Sequence, residues 1–364
     1  MRILFVITCL SYGGAEKNLL LIADYLARKG HHVAICNFNE RETCRDLPEG
    51  VACYDEPKEK EWSGRLAFLG VSRRQCRFLK DTCKKERPDI IVSFLDMPNA
   101  LSIICGHRLG IPVIISERAD PYQPAPIFTR LLRKFFSHAD GAVFQTDGAK
   151  AYYSDKLQKK STVISNPVIC DTGLTAVHDY DSAEDSIAFV GRLELKQKRQ
   201  DVMLEAMKLV LEKHPHYKLM IWGNGEHEQN IRDMVKKLDL QDSVVFAGIS
   251  KQIPVDICKC KIFAITSDFE GIPNALIEAM TVGMPCVSTD CSPGGARMLI
   301  DSDNGTVVPC GEPRAVADAI IKYIEDPDLA KTHGEKARSV KDRFSYDTIM
   351  SRWESYIEDI ASKK

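Results

Sequence analysis

The chain has 364 residues, long for one hydrophobic core and comfortable for two domains. With 44% hydrophobic and 27% charged residues it has the composition of a folded globular protein, which excludes a disordered or collagen-like chain. A net charge of −2, with no recognised binding motif, argues against nucleic acid, yet the charge is uneven: residues 1–170 carry 25 Lys and Arg against 19 Asp and Glu, and residues 171–364 carry 24 against 32.

In chain order, Ile3–Ile7 is an aliphatic run that reads as a strand, turning at Tyr12-Gly13-Gly14. The Met1–Leu10 run is too short for an export signal and lacks a cleavage pattern, so none is expected. Leu19, Leu20, Ile22, Ala23 and Leu26 recur at helical spacing, and Gly30 closes that helix. His32–Phe38 is the next strand. Alternation continues with strand Asp89–Leu95 and helix Asn99–Arg108, strand Val113–Ser116 and helix Phe128–His138, then strand Gly141–Thr146 and a short helix. Residues 169–185 are polar, acidic and aperiodic, and read as a linker between a first domain at 1–168 and a second at 186–345.

The second series begins with strand Ser186–Val190 and helix Gln200–Lys213, then strand Lys218–Trp222 and helix Glu226–Leu238. Strands Val244–Phe246 and Ile262–Thr266, a helix opening at Pro273, and strands Cys286–Thr289 and Val307–Val308 follow, with helices after Glu312. Ile349, Trp353, Tyr356, Ile357 and Ile360 place a last helix at 346–362, expected to pack back onto the first domain. Apolar strands separated by helices predict parallel sheets covered on both faces. The fold class is therefore α/β: two Rossmann-like doubly wound domains facing across a cleft, with ligands beyond the carboxyl ends of the strands. Thirteen scattered cysteines, several in apolar runs and none in a Cys-x-x-Cys pair, point to buried thiols in a reducing, cytoplasmic setting.

The motifs lie where strands end. Gly13-Gly14-Ala15-Glu16 leaves amides open at a helix N-terminus, although a plain tight turn would look the same. Gly191-Arg192-Leu193-Glu194-Leu195-Lys196-Gln197-Lys198 puts cations in a loop after a strand, which suits a diphosphate; a solvated basic turn is the alternative. Trp222-Gly223-Asn224-Gly225 and Ser292-Pro293-Gly294-Gly295 are further glycine turns before helices. In Ser267-Asp268-Phe269-Glu270-Gly271-Ile272-Pro273-Asn274, an apolar strand turns into a helix whose first amides face an anion. Glu270 and Glu278 bracket that point, and carboxylates there make sense if the ligand also carries sugar hydroxyls. A sugar nucleotide has both parts.

Together these segments resemble the retaining glycosyltransferases of the GT-B fold, family 4, over nearly the whole chain. Gly191-Arg192-Leu193 with Lys198, the Glu270/Glu278 pair, and Asn304-Gly305 leading to Val307-Val308-Pro309 fall in that family's order. The resemblance implies that Arg192 and Lys198 hold the donor diphosphate, Lys196 being displaced by a longer loop. It implies that Glu270 contacts the transferred sugar and Glu278 the ribose, with Gly271, Ile272, Pro273, Asn274 and Ala275 at the phosphates. Gly14, Gly223, Gly225 and Ile249 complete the expected donor side, and Gly13, Glu16, Ser116 and Arg118 the acceptor side. Many relatives have a His after the strand Val113–Ser116; this chain reads Ser116-Glu117-Arg118-Ala119-Asp120-Pro121. That form resembles the branch that extends lipid-linked or surface polysaccharides, and makes Glu117 a candidate catalytic group.

The expected activity is transfer of a hexose or N-acetylhexosamine from a nucleoside diphosphate, UDP by the branch, to a lipid-linked or glycan acceptor, with retention by front-face substitution. Alternatives are a nucleotide-sugar epimerase or phosphorylase of the same fold, or a non-catalytic sugar-nucleotide-binding protein. No metal or other cofactor is expected: Arg192 and Lys198 can neutralise the diphosphate, and Asp179/Asp181, Asp301/Asp303 and Asp326/Asp328 sit at turns. No run reaches the roughly 20 apolar residues of a membrane span. Basic residues interleaved with apolar ones over Arg65–Arg87, and again over Arg130–Phe136, suit either a peripheral contact with an anionic membrane on its inner face or ordinary solvated helix faces.

Overall fold

A computed structural model describes residues 1–10, 14–39, 46–57, 67–167 and 176–363, with only the helical backbone at 67–69. The chain divides into two packed units, Met1–Pro167 with Asp347–Lys364, and Val168–Tyr346.

In the first unit the strands are β1 (Arg2–Ile7), β2 (His32–Asn37), β3 (Ala52–Asp55), β4 (Ile90–Phe94), β5 (Val113–Ser116), β6 (Gly141–Phe144) and β7 (Ser161–Val163). Its helices are α1 (Gly14–Arg28), α2 (Ala67–Glu86), α3 (Asp96–Leu109), α4 (Ile127–Phe135), α5 (Asp147–Ala151) and α6 (Asp155–Gln158). The strands form one parallel sheet in the order β3-β2-β1-β4-β5-β6-β7. Because strand side chains alternate, Leu4, Val6 and Ile91 join the core under α2, α3 and the turn after α4. Phe5 and Phe94 pack together from the alternate positions, their ring centroids 6.3 Å apart.

The second unit has strands β8 (Glu184–Val190), β9 (Lys218–Trp222), β10 (Val244–Gly248), β11 (Cys260–Ile265), β12 (Cys286–Thr289) and β13 (Thr306–Val308). They also run parallel, in the order β10-β9-β8-β11-β12-β13. Its helices are α7 (Leu195–Lys198), α8 (Gln200–Lys213), α9 (Glu228–Lys237), α10 (Ile253–Ile257), α11 (Asn274–Val282), α12 (Gly295–Leu299), α13 (Pro313–Glu325), α14 (Pro327–Ala337) and α15 (Val340–Arg343). The last helix, α16 (Tyr346–Ser362), returns to the first unit, where Trp353 stacks on Phe94 at 5.9 Å.

The linker expected at 169–185 is shorter at its C-terminal end. Residues 168–175 lie outside the described residues, but Tyr180 is 6% exposed in the second core and its hydroxyl donates to Tyr323 O at 2.7 Å. Strand β8 then starts at Glu184, two residues before the expected domain boundary. An acidic, aperiodic segment hides one anchoring aromatic, and that residue decides where the domain begins.

Candidate functional site

In the second unit the loops after β8, β9, β11 and β12 all lie at the carboxyl ends of parallel strands. The loop after β8 carries Arg192, which is exposed, and ends in the short helix α7 with Lys198 as its last residue. The Lys198 ammonium pairs with the Glu270 carboxylate of the turn after β11. Ser267 Oγ donates to the same Glu270 oxygen at 2.9 Å, so Glu270, 8% exposed, is held from two sides.

Gln197 links Arg192 to the turn that carries Glu270. Its amide oxygen accepts from Arg192 Nη2 at 3.0 Å, and its Nε2 donates to Phe269 O at 3.1 Å and lies 3.5 Å from Glu270 Oε2. Asp268 N donates to Gln197 O at 2.9 Å, and Thr266 Oγ1 donates to the carbonyls of Lys198 and Arg199 at 3.0 and 2.9 Å. The cationic loop and the acidic turn are thus one hydrogen-bonded body. Gln197 and Thr266 carry no charge pattern, so nothing in the sequence singled them out. Arg199 was missed too: it adopts a left-handed φ of 50° and binds Asp201 and Asp268, bonds that raise its pKa. Its charge is spent on the scaffold, while Arg192 projects outward.

The turn 268–270 is held on its other side as well. Ser292 N donates to Asp268 O at 3.0 Å and Glu270 N to Ser292 O at 2.8 Å, beside a cis Ser292–Pro293 peptide. Helix α11 starts at Asn274, one residue later than expected, with Pro273 at the N-cap accepting from Leu276 N and Ile277 N at 3.1 and 3.2 Å. The first amides of α11 carry the positive end of its dipole. Asn274 is exposed, Ile272 and Pro273 are buried, and Gly271, Ala275 and Glu278 are half-buried.

Two expected donor-side glycines turn out to shape the loop itself. Gly223 has φ 138°, and a Cβ there would lie 2.0 Å from Gly191 O. At Gly225 it would lie 2.4 Å from Leu193 O. The β9 turn therefore lies flat against the Arg192 loop, and only glycine permits that approach. Ile249, just beyond β10, is 72% exposed, as a ligand-facing residue can be.

In the first unit, Gly14 is the first residue of α1 and Glu16, 7% exposed, sits in its first turn with Cys9 Sγ 3.7 Å away. Gly13 lies outside the described residues. Around β5 the expected residues are drawn into the body of the first unit. Ser116 is fully buried. Glu117, 2% exposed, uses one oxygen to accept from Arg118 N and Ala119 N at 2.9 and 3.1 Å. Its other oxygen takes Tyr153 OH at 3.3 Å and lies 3.9 Å from Arg133 Nε. Burial, helped by the charge of Asp96, pushes its pKa up to about 7. Glu117 closes its own turn with one oxygen and meets Tyr153 with the other. Arg118 lies over the rings of Phe94 and Trp353 at 5.2 and 5.5 Å and donates to Asn166 Oδ1 at 3.3 Å, and burial lowers its pKa to about 9. It bridges the end of β5 to Trp353 of α16.

The Asp-x-Asp pairs are local turn and cap residues. Asp179 holds Ser182, Asp303 N donates to Asp301 Oδ1, and Asp326 caps α14 through Leu329 N. Among the described residues one group, His31 with Glu354 and Glu358, brings possible ligand atoms within 4.8 Å of one another. The Lys29 ammonium 4.0 Å from Glu354 and the chain's amino terminus 3.4 Å from His31 Nδ1 already place cations there. The group belongs to the first unit.

With this geometry in place, comparison with known proteins is informative. Residues 12–172 match the family described as Glycosyltransferase Family 4, and residues 175–340 the family described as Glycosyl transferases group 1. A Campylobacter jejuni enzyme named as an undecaprenol-diphosphate-glycan alpha-1,4-N-acetyl-D-galactosaminyltransferase is 25% identical over 365 residues, 99% of both chains. A lipopolysaccharide core biosynthesis glycosyltransferase of Rhizobium meliloti is 25% identical over 96% of both chains. Among solved structures, the apo lipopolysaccharide outer core galactosyltransferase WaaB superposes with a TM-score of 0.80 at 18% identity, over 99% of both chains. Anabaena HepE in complex with UDP and glucose superposes at 0.74 with 19% identity, over 98% of this chain and 99% of that one.

Proposed function

The chain is a glycosyltransferase of the GT-B fold and family 4 type, and we propose that it moves a hexose or N-acetylhexosamine from a UDP-linked donor to a lipid-linked acceptor, with retention at the anomeric carbon. The observation that carries this reading is the single hydrogen-bonded body that joins Arg192, Gln197, Lys198 and Glu270 at the carboxyl ends of the strands. Likeness to the C. jejuni enzyme supports a lipid-linked acceptor, and HepE, with UDP bound on the same fold, supports a UDP donor.

In this mechanism the second unit grips the donor. Arg192, with guanidinium donors exposed, clamps the diphosphate, and the amides that open α11 add a fixed positive end. The Lys198 ammonium, paired with Glu270 before the donor arrives, becomes shared between that carboxylate and the phosphate. Glu270 then accepts from a hydroxyl of the transferred sugar and Glu278 from the ribose. As the bond from C1 to the phosphate oxygen breaks, negative charge grows on the leaving diphosphate, where both cations stabilise it. The acceptor oxygen bonds C1 on the face the phosphate leaves, and its proton passes to the departing phosphate oxygen. No enzyme nucleophile and no metal enter, since two side-chain cations and a helix dipole neutralise the charge.

The test mixes the protein with a panel of nucleotide sugars and a lipid extract, with and without chelator. Nucleoside diphosphate released only when acceptor is present, and unaffected by chelator, supports the reading. Loss of the sugar nucleotide without acceptor would indicate an epimerase or phosphorylase instead, and binding without turnover a binding protein. Arg192→Ala or Lys198→Ala should each lower turnover by about 10²–10³-fold; a variant as fast as the parent would remove that residue from the mechanism.

A further inference from the structure

We infer that Cys76 of α2 and Cys105 of α3 are a modification site: an oxidisable dithiol that a small disulfide of the oxidised-glutathione class converts to a disulfide clamping the two helices. The site is independent of the proposed transfer reaction and concerns how the first unit responds to oxidation.

Helices α2 and α3 pack side by side over the first core. They bring the two sulfurs 3.3 Å apart, although the residues are 29 apart in the chain, and Cys105 Sγ also lies 3.5 Å from Cys76 O. The sulfurs of a disulfide are about 2.0 Å apart, so the gap to close is about 1.3 Å. Small χ1 rotations of two unbranched side chains can close it. Other thiols face oxygen: Cys36 Sγ lies 4.0 Å from Thr82 Oγ1, Cys286 Sγ 3.2 Å from Met284 O and Cys310 Sγ 3.6 Å from Ser267 O. A thiol beside an oxygen has nothing to couple with, whereas two sulfurs in contact are one bond away from a disulfide.

The two sulfurs differ in access, which sets their roles. Cys76 is half-buried and Cys105 is 2% exposed. Arg73 and Lys80, three residues before and four after Cys76 on α2, are exposed, as is Arg77 beside it. Their charge draws an anionic oxidant to the accessible sulfur. These cations belong to the basic stretch expected over Arg65–Arg87, of which residues 65 and 66 lie outside the described residues. The Cys76 thiolate attacks one sulfur of the small disulfide, forming a mixed disulfide and releasing one small thiolate. Cys105 then attacks the Cys76 sulfur, the protein disulfide forms, and the second small thiolate leaves. The two thiol protons end on the two released thiols, so the pair loses two electrons and the small disulfide gains them. Burial and the neighbouring sulfur push the Cys105 thiol up. Contact offsets that, because an attacking atom held at 3.3 Å needs no encounter. Cys83, two turns beyond Cys76 on α2, is 2% exposed and burial pushes its thiol up to about 12, so it is outcompeted. The bond would tie α2 to α3, whose first turn holds the ends of β4 and β5: Asn99 accepts from Ser93 Oγ at 2.8 Å and donates to Ser116 O at 3.2 Å. In a reducing compartment such a pair stays as thiols and closes only under oxidation.

Incubation of the full chain with oxidised glutathione, followed by acid quench, alkylation and non-reducing peptide mass mapping, tests the inference. Peptides carrying Cys76 and Cys105 should be joined with loss of two hydrogen atoms, and the Tm should rise by about 5–10 °C. Dithiothreitol should reverse both changes. Cys105→Ala should trap the glutathione mixed disulfide on Cys76, Cys76→Ser should leave Cys105 unmodified, and neither variant should gain stability on oxidation. Cys105→Ala opens space in the core, so Cys76→Ser, at a half-buried position, carries the comparison if the first variant unfolds. Thiols at 76 and 105 that survive the treatment, a disulfide between either of them and another cysteine, or a joined pair with no rise in Tm would overturn it.

Discussion

Lys198 and Glu270 were legible as a pair of opposite functions, a cation for phosphate and an acceptor for sugar hydroxyls; in the folded chain they are each other's partner. The ammonium and Ser267 Oγ together fix where the Glu270 carboxylate sits. Glu117 is a different case. Its pKa of about 7 is raised by burial above the roughly 4.3 of an exposed Glu. The native state therefore holds this proton more tightly than the unfolded chain does. The resulting penalty is absent below about pH 4, grows as pH rises, and is complete above about pH 7. Glu117→Gln keeps an oxygen for the amides of Arg118 and Ala119 and removes that titration. Its Tm should fall less than the parent's between pH 5 and 8 (on the order of the window set by the two pKa values), with transfer activity retained. Loss of activity at unchanged Tm would return Glu117 to the reaction.

Among the elements, the strand–loop–helix units were readable because apolar runs of strand length alternate with helical periodicity. Strands β3 and β7 were not, since Ala52–Asp55 is only half-buried and Ser161–Val163 has three residues, too few for any pattern. The glycines of the β9 turn were read as ligand-facing, and the structure gives them a second reason: they let that turn lie on the Arg192 loop. Gly223→Ala must move Gly191 or its own backbone, at a cost of about 1–3 kcal/mol. A displacement near 1 Å at Arg192 would lower turnover by about 100-fold. Chemical unfolding and turnover, measured together, separate the two effects; a variant with parental stability and parental turnover would show that the loop tolerates the shift.

At the scale of the molecule there are two cores, and the C-terminal helix is completed in the first. Trp353 is fully buried against Phe94 and under Arg118, although it lies more than 230 residues from either in the chain. Trp353→Ala should destabilise the first unit by about 3–5 kcal/mol and leave UDP binding, assigned to the second unit, close to parental. Calorimetric unfolding with and without UDP checks both outcomes. If the variant loses UDP binding, the nucleotide is not held by the second unit alone.

The sequence by itself determined the two doubly wound units, the order of their strands along the chain, and the charged and glycine-rich loops at strand ends. These follow from local periodicity and from residue types whose chemistry does not depend on distant neighbours. Only the tertiary structure decided which charges remain available. Arg192 and Arg199 are both loop arginines, and Arg118 and Arg130 both lie between β5 and β6 of the first unit, yet Arg199 is tied to two aspartates and Arg118 is sunk against two rings, while Arg192 and Arg130 stay exposed. Burial and pairing depend on residues far away in the chain, and they separate a scaffold charge from one that can meet a ligand.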